Sequence, residues 1–213
     1  MSAHVNGNGG GNGAGNGNGG TLRADYAVIA AWVGDGCRVL DLGCGDGTLL
    51  RHLRTHKNAQ GYGIEIDDAS VLAALSNGNN VIQSNLEDGL ANFGDASFDC
   101  VILSRTLQAM HHIEKIMHEM VRVGGEAIVT FPNFGYEPNR EQVAAGRMPV
   151  SKILPYNWYD TPNIHLCTML DFEDLCGKLN LAILDRVAMT DGRRVDEEPN
   201  LKGELAIYRV KQR

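Results

Sequence analysis

The sequence predicts an α/β fold: an open, mostly parallel sheet with helices on both faces and an antiparallel pair of strands at one edge. Three observations carry this. Short apolar runs alternate with helical stripes between residues 38 and 131, the rhythm of parallel strands joined by right-handed crossovers. The first run, Arg38–Leu42, leads into a turn with glycines at 43, 45 and 47, and then into the helix-like Thr48-Leu49-Leu50-Arg51-His52-Leu53. The last two apolar runs follow one another with no helix between them, which suits antiparallel partners.

In chain order, Leu22, Tyr26, Ile29, Ala30 and Val33 recur at helical spacing and predict an amphipathic helix over 22–33, ended by Gly34-Asp35-Gly36. Arg38–Leu42 is the first strand. Leu49, Leu50 and Leu53 mark the inner face of the next helix, which breaks between Asn58 and Gly61. Residues 62–66 read as the second strand, 69–75 as a short helix closed by Asn77-Gly78, and Asn80–Gln83 as a brief third strand. The unbroken apolar run 98–103 suits a strand covered on both faces. Ile113, Ile116, Met117, Met120 and Val121 form a helical stripe stopped by Gly124-Gly125, and 127–131 is the fifth strand. Residues 132–167 then break the rhythm. They hold five of the six prolines and several aromatics, the composition of a lid or binding loop. Thr168-Met169-Leu170-Asp171 reads as a capped helix start, continued by Phe172, Leu175, Cys176 and Leu179. Residues 181–189 and 204–210 are the last two strands, around a polar turn.

Composition narrows the functional classes. Gly and Asn fill 14 of positions 1–20, so this segment lacks the apolar surface to offset its ordering entropy and is expected to be a disordered tail. Residues 21–213 then form one domain with a loop-rich insertion at about 132–167. A net charge of −7 argues against a nucleic-acid binder, which would show a basic face. No apolar run approaches the roughly 18 residues of a membrane span. The cysteines, Cys37, Cys44, Cys100, Cys167 and Cys176, are odd in number and form no CxxC pair, as expected of reduced thiols in a cytoplasmic protein.

The chemistry concentrates at the glycine turn. Glycines keep side chains away and let a ligand approach the backbone at the helix N-terminus. Asp41 lies two residues before the first glycine, and Thr48 stands where a dinucleotide loop would carry its third. The Asp-x-Gly-x-Gly-x-Gly pattern resembles the S-adenosylmethionine loop of class I methyltransferases. Another nucleotide cofactor and a plain tight turn are the alternatives. In such a sheet ligands sit beyond the carboxyl ends of the strands. The candidate cofactor-binding residues are therefore Asp41, Gly43, Cys44, Gly45 and Gly47 after the first strand, and Glu65 and Ile66 at the end of the second. Asn85 and Leu86 follow the third, and Ser104 ends the fourth. Glu65, 24 residues after Asp41, can accept hydrogen bonds from both ribose hydroxyls. Asn85 and Leu86 offer adenine an amide for its edge and an apolar surface for its face. Loop amides at the helix N-terminus suit the ligand carboxylate; Asp41 is expected to orient those amides and lie near the ammonium. Cys44 reads as a small residue fitting under the turn. Methyl transfer from a sulfonium needs little more than an aligned nucleophile, so no catalytic residue is legible. No metal site is read: His118-Glu119 lacks the second histidine, since position 122 is Arg122. His165, in the irregular segment, is the better candidate among the histidines for a site role, against the favoured reading of a histidine that simply supports the loop.

Beyond the loop, the chain resembles the MetW family of methionine-biosynthesis proteins over about residues 22–190. The matching stretches are 38–47, 61–67, Val101-Ile-Leu-Ser-Arg-Thr-Leu-Gln108, Phe131-Pro-Asn-Phe-Gly135 and, most specifically, Leu154-Pro-Tyr-Asn-Trp-Tyr-Asp-Thr-Pro-Asn-Ile-His-Leu-Cys-Thr168. Arg105 stands where this resemblance leads one to expect glutamine. The resemblance implies a methyltransferase (Rossmann-like) fold, S-adenosylmethionine or S-adenosylhomocysteine as ligand, and association with the homoserine O-acyltransferase MetX, whose activity MetW-type proteins support. Two readings follow: a partner subunit that keeps a cofactor pocket, and an independent methyltransferase of an unidentified small molecule.

Overall fold

The computed structural model describes residues 22–213; the expected tail at 1–20 lies outside the described residues. The first helix, α1 (Ala24–Trp32), precedes strand β1 (Arg38–Leu42), helix α2 (Thr48–Lys57), β2 (Gln60–Glu65), α3 (Asp68–Ser76) and β3 (Asn80–Gln83). Then come β4 (Phe98–Ser104), α4 (Ile113–Val123), β5 (Gly124–Pro132), α5 (Glu137–Ala144), α6 (Met169–Lys178), β6 (Leu181–Thr190), β7 (Arg193–Val195), α7 (Pro199–Lys202) and β8 (Leu205–Gln212). The strands form one sheet in the order β3-β2-β1-β4-β5-β8-β6-β7. Strands β1 to β5 are mutually parallel. The order reverses at β1, so the carboxyl ends of β1 and β4 flank the crevice where such sheets bind ligands.

The last strands depart from a simple edge pair. β8 inserts between β5 and β6, antiparallel to both, and the three-residue β7 forms the edge beside β6. This burial explains why β8 reads Leu-Ala-Ile-Tyr, with Leu205, Ala206, Ile207 and Tyr208 all buried.

The side-chain alternation of β1 sorts the core into two layers. Leu40 and Leu42 join Val101, Leu103, Val129 and Phe131 beneath Met117 and Met120 of α4 and Phe172 of α6. Val39 joins Ile102 and Ile128 beneath Ile29 of α1 and Leu49 and Leu53 of α2. Asp41 alternates onto the second side, under α1. Helix α6 begins with a full capping box: Thr168 Oγ1 accepts from Asp171 N and Asp171 Oδ2 accepts from Thr168 N. α5 lies within the segment expected to be loop. Its only buried residue is Asn139, so it carries no apolar stripe for the sequence to show.

The Pro-Asn-Phe-Gly stretch is a structural hub. Asn133 is fully buried at the end of β5. Its Nδ2 donates to Asn200 O (3.0 Å) and Gly203 O (2.8 Å). Its Oδ1 accepts from Gly135 N (3.0 Å) and Met169 N (3.2 Å). One amide thus ties β5, the start of α6 and the turn before β8 together.

Candidate functional site

Gly43, Gly45 and Gly47 have φ of +70°, +56° and +72°, the left-handed region that glycine enters at little cost. A side chain at Gly43 would meet Thr106 Oγ1 at 2.7 Å. At Gly45 a Cβ would meet nothing within 4 Å. The backbone is bare and open there, as a ligand's close approach requires.

Glu65 closes the loop. Its Oε2 accepts from Gly45 N (2.8 Å), and its Oε1 accepts from Ile66 N (2.8 Å) and Asp67 N (3.0 Å). Three of about four lone-pair sites are used, which fixes the carboxylate at the mouth of the turn and leaves acceptor capacity for a hydroxyl. Ile66, 60 % exposed, puts an apolar side chain beside it. Across the mouth, Asn85 Oδ1 accepts from Glu87 N (3.0 Å), leaving its NH2 group as the donor, while Leu86 packs against the core.

Asp41 differs from expectation. The loop amides are held by others: Gly43 N and Cys44 N donate to Ile64 O, and Gly45 N to Glu65. Asp41 does not orient them. It is 2 % exposed and its Oδ1 has no hydrogen-bond partner. Burial raises its pKa to about 7; Arg23 opposes the rise and Glu65 adds to it. An unpaired buried carboxyl is costly, and a ligand cation would supply what it lacks.

The helix N-terminus also differs. Asp46 Oδ1 accepts from Thr48 N (3.0 Å) and its Oδ2 from Thr48 Oγ1 (2.9 Å). The protein's own carboxylate caps α2, so a second carboxylate there meets a like charge. Cys44 is buried, and its thiol pKa is raised, chiefly by burial, so it is a packing residue and not a nucleophile.

A charged cluster that the sequence did not reveal covers the crevice. Asp25 of α1 is 1 % exposed and pairs with the Arg23 guanidinium through both its oxygens. Arg23 also donates to Ser104 Oγ (3.1 Å) and lies over the Tyr26 ring, 4.4 Å from its centroid. Arg105 Nη2 approaches the same Asp25 at 3.6 Å. Ser104 Oγ is 3.3 Å from Thr130 Oγ1, so its side chain is engaged. Arg23 and Ser104 are 81 positions apart, and only the fold joins them. A signal existed in the two charges opening an otherwise apolar helix.

Residues 154–168 run over the same end of the sheet. Ile164 N and His165 N both donate to Gln108 O, at 2.7 and 3.0 Å, just after β4. His165 is exposed. Leu154 is 4 % exposed and anchors the segment, whereas Trp158 and Tyr159 are 73 % and 71 % exposed and meet edge to face at 5.7 Å. The aromatic cluster is therefore surface. All five cysteines are unpaired. Among the described residues no helix is long and apolar enough to cross a membrane.

This fold is that of the class I S-adenosylmethionine-dependent methyltransferases. One such protein from Mesorhizobium loti superposes with a TM-score of 0.66 at 16% identity, covering 89% of this chain and 98% of its own. The [4+2]-cyclase SpnF also superposes, at 0.63 and 17% identity over 89% and 81% of the two chains, so the architecture alone does not specify a reaction. Within that class the chain belongs to the MetW family: the profile described as "Methionine biosynthesis protein MetW" matches residues 23–210. A curated relative from Rhodopirellula baltica, named bifunctional methionine biosynthesis protein MetXA/MetW, is 37% identical over 201 residues. The alignment takes in 88% of this chain but only 32% of that relative, so the chain spans about a third of its length.

Proposed function

We propose that this protein binds S-adenosylmethionine or S-adenosylhomocysteine and serves as a partner subunit of a homoserine O-acyltransferase of the MetX type. The observation that carries the partner role is the fused MetXA/MetW relative, whose MetW-like portion matches nearly all of this chain. The binding surface is the 154–168 segment, where Trp158 and Tyr159 stand exposed; aromatics of this kind are enriched at interface hot spots.

The cofactor site fits its ligand residue by residue. Glu65 takes a ribose hydroxyl with its remaining lone pair, Ile66 and Leu86 flank the adenine, and Asn85 meets its edge. The bare backbone at Gly43, Gly45 and Gly47 admits the chain joining ribose to sulfur, and Asp41 receives the ammonium. Cys44 packs beneath the turn, and Ser104 holds Arg23 at the far side. S-adenosylmethionine, when bound, supplies an electrophilic methyl group. Neither Cys44, which burial holds protonated, nor Ser104, whose Oγ is engaged, stands ready as a base.

The test is co-purification with a homoserine O-acyltransferase. The wild-type chain should retain the acyltransferase, and Trp158→Ala should weaken capture roughly tenfold or more, as expected for a hot-spot residue. Its melting temperature should stay within about 2 °C, since the side chain packs on little but Tyr159. Equal capture by both proteins would move the interface elsewhere; no capture by either would remove the partner role.

A further inference from the structure

Arg105 is, with Asp41, a side chain at this site left poorly satisfied. Its backbone is left-handed, with φ of 56°, a conformation that costs a non-glycine residue free energy and clusters at functional sites. The strain is held in place by Arg105 N, which donates to Thr130 O (2.9 Å) and Thr130 Oγ1 (3.0 Å). The guanidinium gains little in return. Its ion pair with Asp25 is long at 3.6 Å, and Asp25 is already bound through both oxygens to Arg23. Arg105 Nε is buried without a hydrogen-bond partner. Two guanidiniums thus share one carboxylate, leaving the charge of Arg105, whose side chain is 35% exposed, only partly compensated by the protein.

Next to it is an unused acceptor. Gln108 is 8 % exposed; its Nε2 donates to Arg105 O (2.6 Å), which orients the amide, and its Oε1 has no partner. The ligand these atoms call for carries an anion for the Arg105 fork and a donor for Gln108; an ammonium has three N–H donors, so a single group can serve Gln108 and Asp41 together. Planar carboxylates match the guanidinium fork in two parallel hydrogen bonds. A phosphate dianion is disfavoured by the nearby Asp25. At the start of α2 Asp46 already accepts from Thr48 N, so a carboxylate there would meet a like charge.

We propose that Arg105 and Gln108 form the recognition site for an α-amino-carboxylate group. It is either the amino-acid end of the cofactor itself or a separate amino acid bound beside it. This deepens the proposed cofactor role and rests on it for the location of the ligand.

The experiment compares wild type with Arg105→Gln by calorimetry, using S-adenosylhomocysteine and 5′-methylthioadenosine, which lacks the amino-acid end. Arg105→Gly relaxes the left-handed backbone and serves as a second variant should Arg105→Gln fold poorly. L-alanine is then titrated into each complex. If the cofactor's own end occupies the site, both variants weaken S-adenosylhomocysteine roughly tenfold or more, the effect of losing a charge-assisted pair. They leave 5′-methylthioadenosine unchanged, and alanine stabilises only the 5′-methylthioadenosine complex. If a separate amino acid binds, alanine also stabilises the S-adenosylhomocysteine complex of wild type and not of the variants. Unchanged affinities in both variants, with no effect of alanine, overturn the proposal. Failure of wild type to bind either nucleoside would instead overturn the cofactor role.

Discussion

Asn133→Ala is expected to destabilise the protein by about 3–5 kcal/mol, the largest effect of any single substitution considered. The native amide satisfies two carbonyls and two amides in a fully buried position. Each buried polar group left unpaired costs roughly 1–3 kcal/mol. Met169 N keeps a second acceptor, Asn200 Oδ1 at 3.0 Å, so three groups and not four are stranded. Asn133→Asp should be comparably harmful, because it turns an oxygen toward the carbonyls of Asn200 and Gly203. Asn139→Ala should cost less, about 1 kcal/mol, since it loses one bond to Asn133 O and its own Oδ1 is unpartnered. Urea denaturation midpoints check this. Near wild-type stability for Asn133→Ala would show that the Pro-Asn-Phe-Gly stretch matters for something other than the fold.

The second large effect is on ligand binding and its pH dependence. Asp41 has a pKa of about 7 and faces Arg23, Glu65, Cys44 and Tyr26. A ligand ammonium beside it requires the ionised form, so binding releases a proton below that pKa. S-adenosylhomocysteine affinity should fall about tenfold from pH 8 to pH 6. Asp41→Asn should abolish that slope and weaken binding at pH 8 by about 10–100-fold, the loss of a charge-assisted bond. The same shift has the opposite sign for folding. The folded pKa is raised, so the folded ligand-free protein holds a proton that the unfolded chain has released. Asp41 therefore makes the ligand-free protein less stable as pH rises from about 4 to 7, after which its effect is constant. Calorimetry at several pH values tests the first statement. A flat affinity between pH 6 and 8 would mean that the ammonium lies elsewhere.

Much of the frame was legible because its determinants are local. β1 and β3 fall at Arg38–Leu42 and Asn80–Gln83 as the sequence predicts, each bounded by turn residues that cannot extend the strand. The start of α6 was readable from Thr168 and Asp171 three positions apart. α5 was hidden because its buried position is an asparagine, and β7 because it is three residues long. The same division holds at the site. The glycine turn and Glu65 announced themselves by spacing. Asp41 was found, but its surroundings were not, since the Arg23 charge comes near it only through the packing of α1 on the sheet. Trp158 and Tyr159 could have been core or surface, and periodicity cannot decide between them in an irregular segment. The buried Leu154 and the backbone bonds to Gln108 decide it by fixing the segment with those rings outward.

The most direct test of the central claim is the rate of a homoserine O-acyltransferase, measured with this protein present while S-adenosylmethionine is titrated, with Glu65→Ala as the control. The rate or stability of the acyltransferase should rise on mixing, without consumption of S-adenosylmethionine. A cofactor acting as a signal must bind the free protein and the complex with different affinities, because equal affinity shifts no equilibrium. The response should therefore vary with cofactor, and its midpoint should move to higher concentration in Glu65→Ala. Stoichiometric formation of S-adenosylhomocysteine with a defined small acceptor, and no effect on the acyltransferase, would contradict the account and identify an independent methyltransferase.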